Sequence, residues 1–169
     1  VVMVANDLEG SRFVRYVASL QAMERLPIIS HWGVTGGRFV DACEGALGKV
    51  DFSVVQTFSL FKSNPERVQN IMNMAKEMFG LTRIEDVPAP AGFGHAYDIV
   101  HILAVAINTA GTTDRAAVRD ALEKNMSYQG LVRNYQNPFG PNDHEALELA
   151  DVFMARYDEQ GVIRPLETK

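Results

Sequence analysis

Four histidines, one cysteine and several acid pairs are the side chains in this 169-residue sequence that could ligate a metal, attack an electrophile or move a proton. His95 and His101 stand six apart, which on a helix turns them in different directions, while His31 and His144 are remote in sequence. No CxxC or HExxH spacing joins these residues, so the pattern argues against a metal centre. His95 with Asp98, and Asp98 with His101, read as helix neighbours that hydrogen-bond each other. Cys43 falls in a stretch of amphipathic spacing, where cysteine is more often a small core residue than a thiolate. There is no G-x-S-x-G elbow. Thr35-Gly36-Gly37 lacks the lysine of a phosphate loop and does not match G-x-G-x-x-G. Glu145 and Glu148 are spaced as a solvated helix face. No catalytic constellation assembles from these residues, no cofactor is implied, and the chain reads as a protein that is not an enzyme.

What remains has binding character. His31 and Trp32 follow the apolar pair Ile28-Ile29 and precede Gly33, Gly36 and Gly37, a loop whose backbone can approach a ligand closely. They would stand just past a buried strand, at the edge where open α/β sheets bind ligands. Asn6 and Asp7 hold the equivalent place after Val1–Ala5. Each position has a structural alternative. Trp32 is read equally as a core plug, and Asp7 is foremost the cap of the helix that follows.

The elements that must position these residues can be read from spacing. Val1–Ala5 is a continuous apolar run, as expected of a parallel strand covered on both faces. Phe13, Val14, Val17 and Leu20 recur at helical spacing, and Pro27 ends that helix ahead of a second strand at Ile28-Ile29. A short helix is expected over Phe39–Leu47, ended by Gly48, and a third strand over Phe52–Phe58. Strands separated by helices predict an open α/β layer. Asn64-Pro65 reads as a helix start, and Gly80 as its end. A long helix is expected from about Gly94 to Ala110, so apolar around its circumference that it should be buried on more than one side. Thr113-Asp114 caps the next helix. Val152–Tyr157 and Val162–Pro165 form a hairpin around Asp158–Gly161.

Composition narrows the function classes. The formal net charge is -5 with no basic stripe, so the sequence points to no nucleic-acid partner. The single cysteine allows no internal disulfide, and no apolar run reads as long enough to cross a bilayer. The opening Val1-Val2-Met3-Val4-Ala5 runs straight into a strand pattern and reads as a chain cut inside a fold.

One word of the sequence is more specific. Gly94-His95-Ala96-Tyr97-Asp98 runs on through Ala104 and Ala106 to Ala110-Gly111, then Thr113-Asp114-Arg115, Val118-Arg119 and Ala121-Leu122. It resembles a stretch of the leucine/isoleucine/valine-binding protein family, the type I periplasmic solute-binding proteins of ABC transporters. Pro27–Gly33 and Tyr157-x-x-x-Gly161-Val162-Ile163 are similar to the family's second-lobe core and last hairpin. The resemblance implies a type I periplasmic-binding-protein-like α/β fold in incomplete form, the C-terminal portion of a protein whose two lobes trap a ligand between them. It divides the chain into a lobe-two β-α-β core (1–60), helices belonging to lobe one (61–127), and a crossover with the C-terminal hairpin of lobe two (128–169). It implies a periplasmic location, an amino acid or related small carboxylate as ligand, and a membrane permease as partner. By resemblance Asn6, His31, Trp32 and Phe93 face the ligand, joined by Asp7 at the first strand end. Branched-chain binders carry an acid near His31 and Trp32, and neither residue supplies one. The competing reading is a stand-alone α/β regulatory or interaction domain. Apolar helices without a covering sheet would in either case favour a homo-oligomer.

Overall fold

A computed structural model describes residues 1–124 and 126–166. Asn125, in the expected helical segment, and residues 167–169, at the end of the expected hairpin segment, lie outside the described residues. The chain opens with strand β1 (Val2–Met3), helix α1 (Asp7–Ser19) and strand β2 (Ile28–Ser30). β1 and β2 pair in parallel, Val2 opposite Ile29, because α1 carries the chain back across the sheet. α1 buries Gly10, Ser11, Val14, Val17 and Ala18 against that sheet.

The expected helix over Phe39–Leu47 is broken. Helix α2 spans only Phe39–Ala42, and a 3-10 turn follows over Ala46–Lys49. The interruption falls at Glu44 and Gly45, with φ of 51° and 77°, which no helix accommodates. Strand β3 (Phe52–Gln56) pairs in parallel with β2, Ile28 opposite Phe52. It stops short of the expected Phe58, since Thr57 and Phe58 leave the sheet to dock on a helix described below.

Helices α3 (Pro65–Phe79), α4 (Pro90–Ala110) and α5 (Arg115–Leu122) come next. Asn64 caps α3, its Oδ1 accepting the Glu66 and Arg67 N–H groups at 3.0 and 3.2 Å. Asp114 caps α5 through the Ala117 N–H at 3.0 Å. α4 starts at Pro90 rather than Gly94, because proline's fixed φ suits the first helical position. Strands β4 (Ser127–Gln129) and β5 (Asn134–Gln136) form a separate antiparallel ribbon. The chain then rejoins the first sheet. Strand β6 (Phe153–Tyr157) pairs antiparallel with β3, and strand β7 (Ile163–Pro165) closes the expected hairpin. The sheet order is β1-β2-β3-β6-β7, so both ends of the chain build one layer.

Under that layer Val14, Ile28, Val34, Phe39, Phe52 and Val54 form a closed core. Full burial of a side chain such as Phe39 contributes roughly 2–3 kcal/mol. Cys43 belongs to this core, fully buried, and burial pushes its thiol pKa up to about 11 against the opposing charge of Arg15. The thiol is therefore held protonated and unreactive.

α4 departs from expectation twice. Its 21 residues, with an 18-residue window of mean hydropathy 1.2, match a membrane span in length and composition, although the sequence reads as having no such run. It is also packed on one stripe rather than several sides: Ala91, Gly94, Asp98, Ile102 and Ala106 are buried, while Ile99 and Val100 are 61% and 65% exposed. A carboxylate at the centre of the buried stripe makes that side a protein-facing surface.

Candidate functional site

Asn6, Asp7, His31 and Trp32 come together at the carboxyl ends of β1 and β2, built by two turns that lock into each other. After β2, the Gly33 N–H donates to His31 Nδ1 at 3.0 Å, and Thr35 Oγ1 donates to the Trp32 carbonyl at 2.7 Å. These bonds fold Trp32–Thr35 into a 3-10 turn and set the His31 and Trp32 rings 5.0 Å apart. Gly33 is required for the two turns to meet. A Cβ there would lie 2.9 Å from the Ala5 carbonyl, 3.2 Å from His31 Nδ1 and 3.6 Å from Asn6 Oδ1.

Two expectations about these residues change. Trp32 is 42% exposed, so it is not a core plug. Asp7 is not the helix cap either. Asn6 occupies the cap position and makes no side-chain capping bond, whereas Asp7 is the first helical residue and its Oδ2 accepts the Arg38 N–H at 3.2 Å. A carboxylate in the first turn still suits the helix dipole, and here it also ties α1 to the loop after β2. Phe93 sits elsewhere. It packs against the apolar cluster of Phe58, Leu60, Ile71 and Val87. The start of α4 nevertheless approaches the edge, since a Cβ on Gly36 would lie 3.7 Å from Ala89 Cβ. A cleft of about 220 Å³ opens between the Gly36–Phe39 loop and the Ile84–Pro90 loop. Two residues of its lining, Phe61 and Glu85, are held by Arg164, which stacks 4.1 Å over the Phe61 ring and lies 3.5 Å from Glu85.

The polar residues of α4 find partners that no local spacing could announce. His95 and Asp98 do not bond each other. His95 Nε2 and Thr57 Oγ1 are hydrogen-bonded at 2.8 Å, where the chain leaves β3. Burial lowers the His95 pKa, with the Asp98 charge opposing. The Phe58 ring covers Gly94 so closely that a Cβ there would come within 2.5 Å of it. Asp98 is fully buried and accepts three bonds: from the Leu131 N–H at 2.6 Å, the Val132 N–H at 2.8 Å and the Tyr135 hydroxyl at 3.1 Å. α4 thus pins both passages between sheet and helices, the outgoing one through His95 and the returning one through Asp98. His101 lies between Tyr97 and Tyr128, tilted against the first at 4.4 Å and stacked on the second at 5.8 Å between ring centroids. Glu145 and Glu148 lie on no helix; Glu148 instead joins Asp151 around Arg133, at 3.0 and 2.5 Å.

Among the described residues no three His, Cys, Asp or Glu side chains gather as a metal site. The strand-end cluster gathers hydrogen-bonding groups, an aromatic face and close backbone approach, the kinds of group that small-molecule sites use.

No known protein-family profile matches the chain, and neither does any curated protein. Solved structures do. A type 1 periplasmic binding protein from Bordetella pertussis superposes over 99% of this chain with a TM-score of 0.75 at 19% identity, and the match covers 45% of that protein. A leucine-binding protein from Thermotoga maritima matches over 98% of this chain and 43% of its own, with a TM-score of 0.74 at 14% identity. A fatty acid ABC transporter substrate-binding protein from Thermomonospora curvata matches over 98% and 41%, with a TM-score of 0.71 at 12% identity. The chain spans less than half the length of these structures. The order of its strands and helices, from β1 to the closing hairpin, is therefore that of the type I periplasmic-binding-protein fold, of which this chain carries an incomplete part.

Proposed function

We propose that this chain is part of the extracytoplasmic solute-binding component of an ABC transporter and captures its ligand without catalysis. The reading assigns residues 1–60 and 128–169 to one lobe and 61–127 to the other, with the ligand held between this chain and a further part of the protein. Closure would be favoured by contacts that the ligand makes to both lobes at once. What supports it is a coincidence of two observations: the fold match over nearly the whole chain, and polar and aromatic groups gathered at the carboxyl ends of β1 and β2. On that reading Asn6, Asp7, His31 and Trp32 line one wall of the site, and Phe93 contributes an apolar wall from α4. The similar structures are named for leucine and for fatty acids, ligands that share a carboxylate. An amino acid or related small carboxylate is the corresponding ligand here, a membrane permease the partner, and the periplasm or cell exterior the location.

Titration calorimetry tests the reading. This chain alone, presenting one wall, should bind such solutes weakly or not at all, and the two-lobed protein should bind one of them tightly. Micromolar affinity for a single amino acid in this chain alone would overturn the division of the site.

A second reading rests on the exposed apolar face of α4, where Ile99, Val100 and Leu103 stand open. Such a face favours self-association. Light scattering of the purified chain decides it: a concentration-dependent oligomer supports association, and a clean monomer removes it.

A further inference from the structure

Resting on the two-lobe reading, we infer that Arg164 is a strap between the lobes, which ties the closing hairpin of one to the Ile84–Asp86 turn of the other and holds the cleft at its present width. The guanidinium is anchored on its own side, where its Nε donates to Asp158 Oδ2 at 3.0 Å. Asp158 is itself fixed in the hairpin turn, its Oδ1 accepting the Gln160 and Val162 N–H groups at 3.0 and 2.9 Å. From that anchor the cation reaches across the boundary twice. It stacks 4.1 Å over the ring of Phe61, on the passage that leaves β3. Its Nη2 lies 3.5 Å from Oε1 of Glu85, in the 3-10 turn ahead of α4.

The strap stands where widening of the cleft must break it. One wall of the cleft is made by Gly36–Asp41 and Gly161–Ile163, the other by Ser59–Phe61 and Ile84–Pro90. Arg164 follows the first wall directly in sequence, while Phe61 and Glu85 belong to the second. Movement of the walls apart therefore separates the cation from both partners, and it cannot follow them without giving up Asp158. Arginine suits the task, since its planar group offers separate N–H groups to two carboxylates and a face to the ring, where a lysine ammonium is a single point. Lys62, the next residue of the passage, makes a similar contact in the opposite sense, its Nζ lying 4.4 Å over the Phe153 ring of β6. That contact joins the two passages, whereas the one to Glu85 reaches beyond them. Glu85 also has Arg83 Nε at 3.6 Å in its own segment, so it keeps a cation when the strap lets go. The strap is thus releasable. An ion pair half open to water shifts a balance between open and closed clefts only several-fold.

Spin labels on Lys49→Cys and Lys76→Cys, one exposed site on each lobe, read the separation by pulsed electron resonance, and Cys43 stays unlabelled because it is fully buried. In the labelled chain with Arg164 and Glu85 intact, one distance should dominate. Arg164→Ala should raise the share of longer distances about threefold or more. Arg164→Lys should fall in between, and Glu85→Gln, which keeps the side-chain shape and the Phe61 contact, should give a smaller rise. Raising salt from about 50 mM to about 1 M should move the intact chain part of the way toward Arg164→Ala and Glu85→Gln much less. Equal distributions in all four chains would overturn the strap, and so would a salt response as large in Glu85→Gln as in the intact chain. The labels need no ligand, so failure of the strap leaves solute capture standing, and failure of capture in calorimetry leaves the strap measurable.

Discussion

Asp98 and His31 are both polar side chains held by backbone N–H groups, and they stand in opposite circumstances. Asp98 is fully buried on α4, and its two oxygens accept from two main-chain amides and a tyrosine hydroxyl. His31 accepts from one amide and turns its other nitrogen outward beside an exposed tryptophan. Burial explains the difference. An unpaired polar group shut away from water is costly, so a buried carboxylate such as Asp98 is held by partners within the chain, whereas Gln56 Oε1 is a buried atom left without one. At the strand ends water fills that role, and a ligand can displace it. Density of internal bonds therefore marks architecture, and groups left open on the turn after β2 mark the proposed binding surface. His95 lies between the extremes, half-buried, with one bond to Thr57.

Substitutions can break or sharpen this contrast. The largest effect is expected from Asp98→Ala, which strands the Leu131 and Val132 amides and the Tyr135 hydroxyl and should cost about 3 kcal/mol or more in urea unfolding. Gly130→Ala should follow at about 2 kcal/mol, since the new methyl collides with the Asp98 carboxylate and comes within 2.7 Å of the Tyr135 ring. A crystal structure of that variant should show the β4–β5 turn displaced from α4.

His95 should produce a smaller, pH-dependent effect. Burial lowers its folded-state pKa, so the unfolded chain binds more protons as pH falls through the usual histidine value near 6.5. Stability should be full above that pH and decline below it, and His95→Gln should flatten this part of a melting-temperature profile. A decline of the same size in the variant would assign the acid sensitivity to another group. The smallest effect is expected from Trp32→Ala, which should change unfolding stability by no more than about 0.5 kcal/mol. A loss comparable to that of Asp98→Ala would make Trp32 a packing residue and erase the distinction between the two regions.

Local spacing was legible where the cause was local. Asn64 and Asp114 cap their helices, Pro65 sits at a helix start, and the apolar runs of β1, β2 and β3 form parallel strands. The strand-end positions of Asn6, Asp7, His31 and Trp32 were likewise visible, because they follow from where the strands stop. The word around Tyr97 and Asp98 signalled the fold without disclosing what Asp98 does.

Only the tertiary structure decided the rest. Asp98 finds its partners more than thirty residues away, and His95 meets Thr57 across 38 residues of sequence. Asp7 turns from capping its own helix to holding Arg38. The α4 face that composition suggested should be wholly buried stands half open, because hydrophobicity records what a residue prefers and packing records what is there to cover it. By itself the sequence determined most of the elements and the edge at which the proposed binding groups gather. Which of those groups are left free to bind is set by hydrogen bonds between distant segments, and these exist only once the chain has folded.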